Sequence, residues 1–310
     1  MKYTTLSAAL LGAALLGSMQ ANAAPILINH FGAGGWYSDD TRSAAGTDLV
    51  GTASTLNGKP GQAATAADDT AIATQIQFVA GPAGSTYGGA VSIDGTSSNS
   101  GKSNIAVTNT TGFAAASSLL TSFNAAYEWY DQPNPTSRTL AFKLGIQSTA
   151  WGTGVGESQN GFTAKHSGEQ IWDLVLVYAP TTPSNLAWKT ETVNHDTGAW
   201  NLFRQAGNAY FNVTPNPVAQ TLDAWKLDPT YGDFLFGADA LVTSIQFGLG
   251  SGQKSSIDYV DYLQTNLLNG GDVINFTNVA TAAVPEPGTL ALFGAALAGL
   301  CVLRRRRKVI

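Results

Sequence analysis

The 310 residues are 44% hydrophobic and only 12% charged, with 34 glycines, a single cysteine and a formal net charge of −5. One cysteine excludes an internal disulfide framework, and a net negative chain lacks the broad basic face that nucleic acid or anionic lipid demands of a partner. Reading from the N-terminus, Lys2 supplies a positive leader, Leu6 to Gly17 is an apolar run, and Ala21 and Ala23 give the small residues that a signal peptidase needs at positions −3 and −1. Residues 1–23 are therefore predicted to be a cleaved signal peptide, with Ala24 as the mature start.

From residue 24 to about residue 70 the chain is rich in Gly, Ala, Ser and Thr, as in "DLVGTASTLNGKPGQAATAADD", and reads as loops and weak edge strands. Short β-branched and aromatic runs then recur between Gly, Pro and Asn signals: Ile72 to Val79, Ala125 to Tyr130, Thr139 to Ile146, Ile171 to Tyr178, Leu186 to Val193, Ala209 to Val213, Leu241 to Leu249, Ile257 to Gln264 and Val273 to Phe276. In "RTLAFKLGI" the residues Leu140, Phe142 and Leu144 share one face, as in a half-buried strand, whereas "IWDLVLVY" is apolar on both faces apart from Asp173, as in a central one. Short helices fit only "TLDAWKL" (221–227) and "SLLTSFNAAYE" (118–128). The glycine-rich "GLGSGQKS" (248–255) reads as a hairpin, because Gln253 stands where a phosphate loop needs glycine. Many short strands with turn punctuation predict an all-β body, an antiparallel two-sheet sandwich of the jelly-roll kind. That body, residues 24–283, carries ten Lys+Arg and 20 Asp+Glu, so its charge is about −10.

The chain closes on Pro285-Glu286-Pro287, an apolar run over 289–303, and a basic cluster of Arg304, Arg305, Arg306, Arg307 and Lys308. Fifteen helical residues reach about 22 Å, short for a hydrocarbon core of roughly 30 Å, so the predicted transmembrane helix spans only with snorkelling arginines or a thinned bilayer. The positive-inside bias keeps the cluster cytoplasmic and the body outside. The prolines keep the preceding stretch extended and open to a protease-like cleft. The lone thiol, Cys301, lies in the apolar run, leaving the body with no thiol nucleophile or thiolate metal site.

This order of Pro-Glu-Pro, apolar helix and arginines closely resembles the PEP-CTERM sorting tail of exported proteins in Gram-negative bacteria. The resemblance, carried by residues 284–310, implies that an exosortase recognises the tail. It further implies an inner-membrane-anchored intermediate with its body in the periplasm, and delivery to the cell surface or to an exopolysaccharide biofilm matrix. The stretches "YEWYDQPNPTSRTLAFKLGI", "WDLVLVYAP", "NLAWKTETV" and "VTSIQFGLGSGQ" resemble the bodies of other PEP-CTERM proteins, which are similar to concanavalin-like lectin sandwiches.

Catalytic motifs are sparse. "GESQN" around Ser158 lacks the final glycine of a nucleophile elbow, since Asn160 stands there. His30, His166 and His195 form no zinc-binding spacing. Paired carboxylates can be drawn from Glu128, Glu169, Asp173, Glu191, Asp258 and Asp261, but the E-x-D-x-x-E run of concanavalin-like glycosidases is absent. The expectation is no enzyme, no catalytic residue and no cofactor. The mature role is expected to be binding of exopolysaccharide or a structural part in the matrix; the alternative is a secreted glycan hydrolase or lyase with dispersed carboxylates. Glycan contact is expected from Trp129 in "YEWYD" and from His195, Asp196, Trp200 and Asn201 in "VNHDTGAWN", each tryptophan having core packing as its competing reading. Oxygen ligands for calcium are available at Asp94 and Asn99, without an EF-hand spacing.

Overall fold

The computed structural model describes residues 24–39, 41, 49, 66–96, 102–132, 140–148, 174–182, 184–206, 209–212, 219–250, 256–268 and 270–278. The predicted signal peptide with Ala21 and Ala23, and the tail with Pro285, Glu286, Pro287 and Arg304 to Arg307, lie outside the described residues. Among the described residues no helix is long and apolar enough to cross a membrane. The body, Pro25–Val279, clusters as one unit.

Two sheets carry it. The seven-stranded sheet contains β1 (Ile26–Ile28), β3 (Ile76–Val79), β4 (Ala90–Asp94), β7 (Asn124–Asp131), β10 (Lys189–Asn194), β14 (Ile257–Thr265) and β15 (Val273–Phe276). Its centre is β14, which pairs along one edge with β7 and along the other with β4 and then β15. The eight-stranded sheet contains β2 (Trp36–Ser38), β5 (Ser103–Thr108), β6 (Ala114–Ala115), β8 (Ala141–Gln147), β9 (Leu174–Tyr178), β11 (Trp200–Ala206), β12 (Ala209–Asn212) and β13 (Leu241–Leu249). Every pairing is antiparallel except that of β1 with β15. The expected all-β sandwich is thus the architecture observed.

Period-two patterning sets the interior. Leu140, Phe142, Leu144 and Ile146 of the β8 run are fully buried, as are Ile245, Phe247 and Leu249 of β13. Rings from opposite sheets meet between them: Trp36 on Phe276 at 4.9 Å, and Tyr127 on Phe247 at 5.1 Å. Each large aromatic buries 150–250 Å², roughly 4–6 kcal/mol of transfer free energy, so these rings are the main force closing the sheets. Gly248 is required where it stands, because a Cβ there would meet Asn104 Oδ1 on β5 at 1.5 Å.

Three expectations change. Ile72 to Val79 is not one strand: Ala66–Gln75 is a helix, with Asp68 and Asp69 in its first turn, and only Ile76–Val79 pairs in a sheet. Alanine propensity and the helix dipole favour that outcome. The helical reading of 118–128 holds only as a 3-10 turn, Ala116–Leu120, before β7 begins at Asn124. The strands on either side of the glycine-rich 248–255 segment do not pair as the expected hairpin, since β13 and β14 belong to different sheets. By contrast "TLDAWKL" does form a helix, Leu222–Lys226, with Thr221 Oγ1 accepting from Ala224 N at 3.2 Å.

Candidate functional site: the outer face of the seven-stranded sheet

Neither tryptophan expected to touch glycan has a free face. Trp129 and Trp200 are fully buried between the sheets, where Trp200 packs on Phe123, Phe142 and Tyr178 and its carbonyl accepts from Trp225 Nε1 at 2.8 Å. The need for large rings in the sandwich interior takes both. Asn201, next on β11, is half-buried. His195 and Asp196 sit in the turn before β11, and Asp223 of the short helix joins them. His195 Nδ1 is 3.1 Å from both Asp196 Oδ1 and Asp223 Oδ2. These three are the one group of metal-ligating side chains among the described residues, and the two aspartates are exposed. Asp94 Oδ1 accepts its own turn amide, Thr96 N, at 2.6 Å; Asn99, His166, Glu169 and Asp173 lie outside the described residues.

The accessible aromatics are elsewhere. Along β7, Tyr127, Trp129 and Asp131 turn inward, so Glu128 and Tyr130 face outward. On β14 the register slips between Val260 and Leu263, so Asp261 and Tyr262 stand opposite the single residue Glu128. This bulge leaves both side chains on the outer face. Tyr130 gathers Trp188 at 5.4 Å and Tyr259 at 5.9 Å, and Gln132 Nε2 donates to the Tyr259 hydroxyl at 2.9 Å. All three rings are half-buried.

Trp188 is delivered to this patch by a strained approach. Asn185 and Leu186 have φ of 54° and 61°, the left-handed region that a leucine rarely adopts. Ser184 anchors the segment: its amide donates to Asp131 Oδ2 at 3.1 Å, its hydroxyl donates to Asp131 Oδ1, and Asp131 N donates back to Ser184 Oγ at 2.7 Å. The inward carboxylate of β7 thereby fixes the chain that carries an outward ring. Asp131 lies in register with Asp258, whose Oδ1 accepts from Ser256 Oγ at 2.8 Å. Burial pushes the Asp258 carboxyl up to about 7; the Ser256 hydroxyl opposes the shift and the Asp131 charge adds to it.

A second carboxyl pair lies on the outer face. Thr86 N donates to Glu128 Oε2 and Tyr87 N to Asp261 Oδ2, both at 2.8 Å. The other Asp261 oxygen, Oδ1, is buried and has no donor; the neighbouring carboxyl of Glu128 bonds to Asp261 only when one of the pair holds a proton. Burial pushes Asp261 up to about 7, with Glu128 adding to it against the lowering pull of the Tyr87 and Thr86 amides. Of the six carboxylates considered from sequence, two therefore meet here, while Glu191 instead accepts from the Tyr178 hydroxyl. Sequence reasoning took Trp129 from "YEWYD" without dividing that run by face, and passed over Trp188, Tyr259 and Tyr262. The alternation in "YEWYD" carried the division; the bulge in "DYVDYL" hid the rest.

Residues 283–308 match the PEP-CTERM protein-sorting motif. The chain thus bears the signal of an exported protein sorted by an exosortase. No curated protein matches the chain. Among solved structures, an arabinose-bound MgGH51 α-L-arabinofuranosidase matches over 80% of this chain at 11% identity and a TM-score of 0.30; the chain spans only 30% of its length. A chain described as "CBM4 structure and function" matches over 62% of this chain and 96% of its own, at 12% identity and a TM-score of 0.24.

Proposed function

We propose that this exported chain binds polysaccharide outside the cell, along the outer face of its seven-stranded sheet. The signal peptide is removed by signal peptidase, the short C-terminal apolar segment holds an inner-membrane intermediate with its body in the periplasm, and exosortase processing passes the body to the cell surface or matrix. The observation that carries the binding role is the patch of half-exposed rings in which Tyr130 touches both Trp188 and Tyr259, flanked by Gln132 and carboxyl groups. Such rings offer apolar faces to the C–H surface of a sugar, and the polar groups beside them fix its orientation.

The outer carboxyl pair favours binding over hydrolysis at this face. A glycosidase holds its two carboxyls roughly 5 Å or 6.5–9.5 Å apart across an open bond, whereas the Glu128 and Asp261 side chains interact with each other and each accepts a loop amide. The test is affinity electrophoresis of the full chain through gels containing xylan, laminarin, dextran, chitosan, alginate or the producing bacterium's own exopolysaccharide. Retardation by at least one glycan, abolished in Trp188→Ala, supports the reading; unretarded migration in all of them removes it.

A further inference from the structure

The connection between β3 and β4, Ala80–Gly89, does not turn back at the sheet edge. It runs over the outer face and touches it at three places. Nearest β4, Tyr87 N binds Asp261 of β14 and the Tyr87 ring meets Tyr262 edge-on at 5.5 Å. Further across, Thr86 N binds Glu128 of β7. Beyond that, Pro82 O accepts from Trp188 Nε1 at 3.1 Å, just before β10. The strap re-enters the sheet through Gly89, where a Cβ would meet Thr277 Oγ1 at 1.9 Å, so its root is fixed by close packing. Apart from the Tyr87–Tyr262 ring contact, its crossing points are polar: consecutive amides on two carboxyls of neighbouring strands, and one indole bond.

We propose that Ala80–Gly89 is a latched cover on the sheet's outer face, and that the proton shared by Glu128 and Asp261 is what keeps the latch closed. Two carboxylates side by side repel, and two amide donors satisfy only one oxygen of each. With one proton between them the remaining oxygens form a hydrogen bond, and both amides stay seated. Without it, the pair lowers its energy by opening to water, which means lifting Thr86 and Tyr87. The ionisable groups that face the pair are Tyr87 on the strap and Tyr262 on β14; burial raises both phenols above their usual range, so they stay neutral throughout. From β10 the facing residue is Thr190, which bonds the Tyr262 hydroxyl, and β4 presents Ser92 before Asp94 at its far end.

The direction with pH follows from the proton count. The closed strap holds a proton to about 7 and the open one only to the ordinary carboxylate range near 4. Opening therefore becomes easier by up to about tenfold per pH unit between those limits, and levels off above them. Since Trp188 is one of the strap's anchors, opening also frees a ring of the proposed glycan patch. The latch itself does not depend on the glycan reading.

The experiment is amide hydrogen exchange of the full chain at pH 5, 6, 7 and 8, corrected for intrinsic chemical rates, on peptides covering Thr86 and Tyr87. Peptides from β13 serve as the reference. The wild-type strap is expected to open progressively more from pH 5 to 7 and then to plateau. Asp261→Asn and Glu128→Gln each place a permanent N–H between the two side chains, and both are expected to flatten the profile. The variants act from opposite strands, so a folding failure in one leaves the other informative. A flat wild-type profile, or a variant as steep as wild type, overturns the proposal. Glycan retardation without pH-dependent strap opening removes the latch and leaves the binding role; strap opening without retardation does the reverse.

Discussion

The two faces of the seven-stranded sheet draw on the same residue types and use them differently. Inward, Tyr127 and Trp129 are sealed against the other sheet, and the carboxyl pair Asp131–Asp258 is held by Ser184 and Ser256. Outward, Tyr130, Tyr259 and Trp188 keep part of their surface in water, and the pair Glu128–Asp261 is held by the amides of a loop. Both pairs join β7 to β14 within a few residues of each other. What separates a structural pair from a movable one is what satisfies it: side chains locked in the fold on one face, a strap that can lift on the other.

The contrast breaks most sharply with the tryptophans. Trp200→Ala, which empties a fully buried site, is expected to cost about 3–5 kcal/mol and to lower the melting temperature by roughly 10 °C or more in calorimetry. Next in size is Asp131→Ala, which leaves the buried Ser184 amide and hydroxyl without their acceptor. A loss of about 2–3 kcal/mol is expected, together with weaker glycan retention, because the Asn185–Leu186 approach to Trp188 loses its anchor.

Asp258 and Asp261, both raised to about 7, give the third effect. The folded state holds protons that the unfolded chain releases near pH 4. Stability contributed by these groups therefore falls as pH rises from about 4 to 7 and is level above. Melting is expected to be higher at pH 5 than at pH 8, and Asp258→Asn to narrow that gap; an unchanged gap would separate Asp258 from the effect. The smallest change in stability belongs to Trp188→Ala. The half-exposed ring and its bond to Pro82 O are worth about 1 kcal/mol, yet glycan retention is expected to vanish.

The sandwich was legible because its strands keep their period: β13 and β15 begin and end where the apolar runs do, and Leu140, Phe142 and Leu144 turn to the core as their alternation requires. The site was not, for three physical reasons. Aromatic residues next to each other in sequence point to opposite faces of a strand, so "YEWYD" mixes a core ring with a surface one. A bulge adds a residue that no alternation anticipates, which is how Asp261 and Tyr262 come to share a face. And the strap meets Glu128 and Asp261 through backbone amides, which every residue but proline possesses and no pattern marks. The helix Ala66–Gln75 escaped notice because its ten residues bury only Ile72 and Gln75, too little to write an apolar stripe.

Calorimetric titration of the full chain with the glycan that retards it, run on wild type, Trp188→Ala and His195→Ala, tests the central claim most directly. The account predicts saturable heat from wild type and from His195→Ala, whose side chain lies in the turn beside β11, and none from Trp188→Ala. Equal heat from wild type and Trp188→Ala, or heat lost only in His195→Ala, would contradict it and move the site to the His195 turn.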